Sequence, residues 1–299
     1  MTQYDPHSWT SHLFDVEGSL VREILGRVSL CVAWSVLVTA VHQFVPGAWF
    51  DLELSETGHA MIGTALGLLL VFRTNASYDR FWEGRKLWGS IVNETRNLAR
   101  QASEWCSTDA VRVRRIVLWT IAYAHACLHR LRGAAAIGAA HSELPSEQVA
   151  TVLAADHVPL AVARRLTAEL EAARRAGLLT DYQQVQLDQN VQLLIDYLGG
   201  CERIHSTPIP FAYAVHLRRA LIMYCFTLPF ALVSKFGWET IPATFFIAYI
   251  LFGIEEIGVE IEDPFGTDDN DLPLEQICDN IERNLRDVIQ DAPSQEAQG

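Results

Sequence analysis

The chain has 299 residues, half of them hydrophobic, and a formal charge of −13. That acidic balance excludes a nucleic-acid footprint, which needs a basic patch. Six cysteines, at 31, 106, 127, 201, 225 and 278, show no CxxC spacing, so reduced thiols are expected rather than a disulfide frame or a metal site.

The first twenty residues, with DPHSW and FDVEG, lack the basic start and apolar core of a cleaved signal peptide. A first apolar run follows at 24–45, ILGRVSLCVAWSVLVTAVHQFV. It is long enough for a bilayer core of about 30 Å, which needs about 20 helical residues. The second run, TGHAMIGTALGLLLVF at 57–72, is short for a span that faces lipid. It can cross with its flanks, or by lining an interior path.

Residues 78–132 carry few glycines and no proline. They read as helix, with Phe81, Trp88 and Val92 on one face and Ile116, Tyr123 and Cys127 on another. The apolar core at 116–128 is too short for a span and is interrupted by His125, so a buried cytoplasmic helix is expected. His125 and His129 have the i, i+4 spacing of metal ligands but no third ligand nearby. In the Ala- and Gly-rich stretch 133–158, Ser146 before Val149 offers a helix start. Residues 159–200 show helical charge patterning, and YLGG at 197–200 reads as its stop.

The third and fourth apolar runs are 217–234 and 238–258. The loop 46–56 has no Lys or Arg, residues 235–238 have only Lys235, and most arginines lie in 73–219. The positive-inside rule then gives four spans, with both termini cytoplasmic. The expected fold is an all-α membrane protein whose cytoplasmic helical part covers about 73–215 and 259–299. No GxxxxGK[ST], GxGxxG or HExxH pattern is present, so nothing nominates an enzyme.

Three stretches together resemble the bestrophin family, in particular its bacterial inner-membrane members. They are LLLVFRTNASYDRFWEGRKLWGSIVNETRNLARQ at 68–101, CERIHSTPIPFAY at 201–213 and IEDPFGTDDND at 261–271. The resemblance covers nearly the whole chain in order, and implies a single bestrophin-like domain over 1–299. It further implies a homopentameric ion channel of the inner membrane, permeated by small inorganic ions and surrounded by lipid. Chloride is the ion implied by the animal members, while the acidic balance leaves a cation open. The competing reading is a membrane-anchored scaffold or sensor that binds a cytoplasmic partner.

In that family the second membrane helix lines a hydrophobic neck on the five-fold axis, followed by a vestibule with a second constriction at its exit. An uncharged neck can gate by dewetting. The candidate row is Met61, Ala65 and Leu69, and the neighbouring row is Ile62, Leu66 and Leu70. Ala65 is smaller than the side chain the family usually presents. Gly63 and Gly67 would allow close helix approach. By resemblance the exit lies near RIHSTPIPF, with Ile204 and Thr207 as candidates.

Glu255, Glu256 and Glu260 sit at the end of the fourth run, where the helix dipole disfavours acids. Arg73, Arg80 and Arg85 are the expected partners. Asp268, Asp269 and Asp271 are calcium candidates by analogy with the animal calcium clasp. Thr267 and Asn270 stand where that pattern is usually acidic, and Asp263 where it usually has Asn. The aspartates are therefore read as the start of the helix LPLEQICDNIERNLRDVI, and no metal or other cofactor is expected.

Overall fold

A computed structural model describes residues 20–45 and 54–290. The segments behind the signal-peptide reading, most of the loop 46–56 and the two termini lie outside the described residues. Among the described residues every regular element is helical. The α-helices are α1 (Val21–Phe44), α2 (Glu56–Trp105), α3 (Ala110–Leu131), α4 (Ser146–Leu153), α5 (Val158–Arg175), α6 (Asp181–Ser206), α7 (Phe211–Phe236), α8 (Thr240–Glu260) and α9 (Leu274–Gln290). Short 3-10 turns cover Ala139–Glu143 and Gly237–Glu239.

Local chemistry accounts for several boundaries. Asp109 caps α3 by accepting from the Arg112 amide. Thr180 and Gln183 form a reciprocal capping box at the start of α6. The second apolar run is not a short helix of its own. It is the first third of α2, which has no proline and continues for 50 residues into charged sequence. At about 1.5 Å per residue only part of such a helix fits a bilayer core.

Three helical stretches are long and apolar enough to cross a membrane: Val21–Phe44, Glu56–Trp105 and Phe211–Glu260. The third consists of α7 and α8. Gly237 between them has φ 51°, a left-handed conformation that favours glycine. Leu217, Leu221 and Cys225 of α7 share one buried cluster with Ala248 and Phe252 of α8, so the chain folds back at this turn.

The chain forms two compact units. The first holds residues through Phe81, with Pro208–Asp263 and Asp268–Asn270. Ile24, Val28 and Cys31 of α1, Leu66 and Leu70 of α2, and the α7 and α8 residues just named form its core. Some polar groups inside it are paired, while the hydroxyls of Thr39, Ser77 and Thr240 are buried without a hydrogen-bond partner among the described residues. Thr244 donates to the Thr240 carbonyl, which leaves its oxygen to accept from Ser35 at 3.2 Å. The Trp34 indole N–H donates to the Phe226 carbonyl at 2.9 Å. Such bonds matter between spans because lipid offers no alternative partner.

The second unit holds Trp82–Thr207, Pro264–Thr267 and Asp271 onward. Helix α3 is buried without a break from Ile116 to Leu128, with α5 and α9 packed on it. The apolar core at 116–128 is thus the heart of this unit, and Tyr123 donates to the Leu194 carbonyl at 2.7 Å. His125 lies 3.2 Å from the Glu282 carboxylate, a hydrogen-bonded core position. The YLGG stretch does not stop a helix. Helix α6 runs through it to Ser206, and a Cβ on Gly200 would sit 2.9 Å from Leu87. Close packing against α2 explains that glycine. All six cysteines are buried free thiols.

Candidate functional site

The first turns of α2 carry no charged side chain between Ala60 and Phe72. Their faces differ sharply in burial. Met61 is 69% exposed, and Ile62, Ala65 and Leu68 are also exposed. Leu66 and Leu70 are almost fully buried, at 4% and 1%. The row Ile62–Leu66–Leu70 therefore divides, with its last two members buried in the chain's own core. In the row Met61–Ala65–Leu69 the first two side chains point outward, and Leu69 packs at the edge of the core. Leu68, which neither candidate row included, is 56% exposed.

The glycines of this helix also separate. A Cβ on Gly63 would lie 2.4 Å from the Tyr224 hydroxyl, so Gly63 admits a ring of α7 within the same chain. Tyr224 also packs against His59, the two rings tilted with centroids 4.2 Å apart. Gly67 has nothing within 4 Å.

At the end of α8 the acids are paired, but not with the arginines expected. Glu255 is 1% exposed and accepts from Arg218 at 2.9 Å and Arg27 at 3.3 Å. Glu256 accepts from Arg27 at 2.6 Å. Glu260 accepts from Asn270 at 2.9 Å. The partners come from α1 and α7 because those helices pack on α8. Arg73 and Arg80 instead meet Glu262. Arg73, 2% exposed, is 3.3 Å from its carboxylate, and Arg80 donates to its backbone carbonyl at 3.0 Å. Gly258 gives the Arg73 side chain room, since a Cβ there would lie 3.4 Å from Nε. Arg27, Arg218 and Glu262 are residues that sequence reading missed. A lone arginine inside the first run was the available signal, because ionisable groups within spans have partners.

The exit candidates lie at the end of α6. Ile204 is buried, while Thr207 is exposed and its backbone N–H closes the helix on Arg203. Ile209, two residues on, is half-buried and donates its N–H to Glu262 at 2.9 Å.

The acidic stretch is organised by an apolar residue. Phe265 is fully buried and Leu272 nearly so, and the Leu272 amide closes the turn on the Pro264 carbonyl at 3.0 Å. A Cβ on Gly84 would approach both Phe265 and Pro264 to 3.0 Å, so α2 is small where the turn packs. Arg132 donates to the Phe265 carbonyl and pairs with Glu275. Asp268 and Asp269 are exposed and Asp271 is half-buried over Gly266. The acid in the first turn of α9 is Glu275, with the three aspartates in the loop before it. Among the described residues no group of three or more His, Cys, Asp or Glu side chains is placed to hold a metal.

Residues 1–287 match the family described as Bacterial/Fungal Bestrophin protein. The chain belongs to this family. A voltage-dependent anion channel-forming protein of a Nostoc species is 39% identical over 96% of this chain and 93% of its own length. A protein of the same name from Escherichia coli K12 is 33% identical over 95% of this chain and 92% of its own. A crystal structure of a bacterial bestrophin homologue from Klebsiella pneumoniae superposes with a TM-score of 0.85 at 34% identity. It covers 90% of this chain and all of that one. As a bestrophin-family chain, this protein has three features in its first unit: an uncharged outward face on α2, paired charges at the end of α8, and Glu262 paired with Arg73.

Proposed function

We infer that this protein is a passive anion channel of the bestrophin type and not an enzyme. The relatives' names and the family match support the anion reading. The structural observation that carries it is the outward, uncharged face of Met61, Ala65 and Leu68 on a helix whose opposite side buries Leu66 and Leu70. Five copies of that face around an axis would make the neck, with Leu69 at its edge. A ring of this kind holds back ions by a hydration barrier.

The finer assignments are part of the same proposal. The protein works as a homopentamer in the bacterial inner membrane, surrounded by lipid. Helices α1, the first part of α2, α7 and α8 are its four spans, and both termini are cytoplasmic. The fold-back at Gly237 supports counting α7 and α8 as two spans. The second constriction lies between Ile204 and Ile209, where Thr207 is the sequence candidate whose side chain reaches outward. Calcium is not required. Asp268 and Asp269 point outward, and Thr267 and Asn270 supply no carboxylate between and beside them.

Purified protein in planar bilayers tests this reading. Met61→Ser and Leu68→Ser should raise current by admitting water to the neck. Leu66→Ser should lower stability instead, because Leu66 packs in the core. Current should not change as calcium goes from chelator to millimolar levels. Absence of any current from the parent, or neck variants that leave it unaltered, would contradict the proposal.

A further inference from the structure

Residues 208–210 are Pro208, Ile209 and Pro210. Proline has no backbone N–H, so Ile209 supplies the one amide donor of this link. That donor goes to Oε1 of Glu262 at 2.9 Å. The other carboxylate oxygen of Glu262 faces Arg73 at 3.3 Å. Its backbone carbonyl accepts from Arg80 at 3.0 Å. One residue thus joins the proline link, at the entry to α7, to two arginines of α2.

The Arg73 end of this arrangement is buried. Arg73 is 2% exposed, and its Nε and Nη1 make no hydrogen bond, so Glu262 is the carboxylate that compensates its charge. A buried guanidinium without its carboxylate is strongly disfavoured, which keeps Glu262 in place. Glu262 in turn fixes the height and direction of the only amide in the link.

We propose that Glu262 is a positioning residue of the conduction path, setting the stance of the Pro208–Pro210 link relative to α2. It touches no permeating ion. It acts through the Ile209 amide, so a shift of α2 at Arg73 is carried to the link. This rests on the reading that the second constriction lies between Ile204 and Ile209.

Two substitutions separate the roles of the carboxylate. Glu262→Asp keeps the charge for Arg73 but withdraws the acceptor from Ile209 by one methylene. Glu262→Gln keeps the reach and an acceptor oxygen but loses the charge. Ile209→Ala serves as the control for the constriction itself. Unitary conductance and reversal potential are read in bilayers, and thermal midpoint in detergent. With the link released, Glu262→Asp is expected to raise unitary conductance about twofold and weaken chloride preference, since a loosened constriction dehydrates ions less. Glu262→Gln should change conductance less than Glu262→Asp while lowering the thermal midpoint more. A purely structural residue would move the midpoint and leave the conductance and reversal potential of surviving channels alone. That result with Ile209→Ala still altering conductance overturns the proposal and leaves the constriction standing. If Ile209→Ala and Thr207→Ala also conduct like the parent, the constriction reading fails and the proposal falls with it.

Discussion

Glu255→Gln should lower the stability of the first unit by about 1.5–3 kcal/mol. A hydrogen bond to a charged group contributes about 1.5–3 kcal/mol when well shielded. Glu255 makes two, to Arg218 at 2.9 Å and Arg27 at 3.3 Å. Its own side chain is 1% exposed, but those of Arg27 and Arg218 are 40% and 52% exposed. Water screens both arginines and can solvate them once the carboxylate is gone, so each bond is discounted by about half. The cost stays below the roughly 3–5 kcal/mol of a broken, fully buried pair. Thermal unfolding of detergent-solubilised protein would measure it, with Arg218→Ala and the double variant completing a cycle. The cycle should show coupling of about 1 kcal/mol between residues 255 and 218. A Glu255→Gln protein as stable as the parent, or a cycle with no coupling, would refute the reasoning.

Other consequences are independent of that pair. Gly63→Ala should cost about 1–3 kcal/mol by driving a methyl into Tyr224, whereas Gly67→Ala should be tolerated; thermal midpoints of the two variants decide. Burial pushes the Cys201 and Cys278 thiols up to about 12, so both should resist maleimide at pH 8 in the folded protein and react once it is denatured, as mass spectrometry would read. The Glu143 carboxyl is held below its ordinary value, chiefly by its hydrogen bond from Arg286 and also by Arg114. A lowered carboxylate stabilises the fold above the ordinary glutamate range, and that contribution is lost as pH falls through the folded value. Glu143→Gln should therefore flatten the acid side of a stability-against-pH curve, and an unchanged slope would dismiss the pair as a source of stability.

Much of the architecture was legible in the sequence because burial in a membrane protein is written in long apolar runs. Those runs located α1, α2, α7 and α8, and the short core at 116–128 correctly read as a packed helix. Ser146 did begin a helix. The errors have physical causes. YLGG resembles a stop, but glycine also serves where helices approach closely, and Leu87 occupies that space. The acids at the end of α8 do need partners, but sequence order could not say that α1 and α7 would supply them. The faces of α2 were not separable by hydropathy, since Met61, Leu66, Leu69 and Leu70 are all apolar. Only the cluster with α1, α7 and α8 shows which of them the chain buries in its own core.

The most direct test of the central claim is the reversal potential of the purified parent protein across a KCl gradient in a planar bilayer. An anion channel of the proposed kind gives a reversal potential near the chloride equilibrium potential, whether calcium is chelated or present at millimolar levels. A potential near that of potassium, or no current at all, would contradict it.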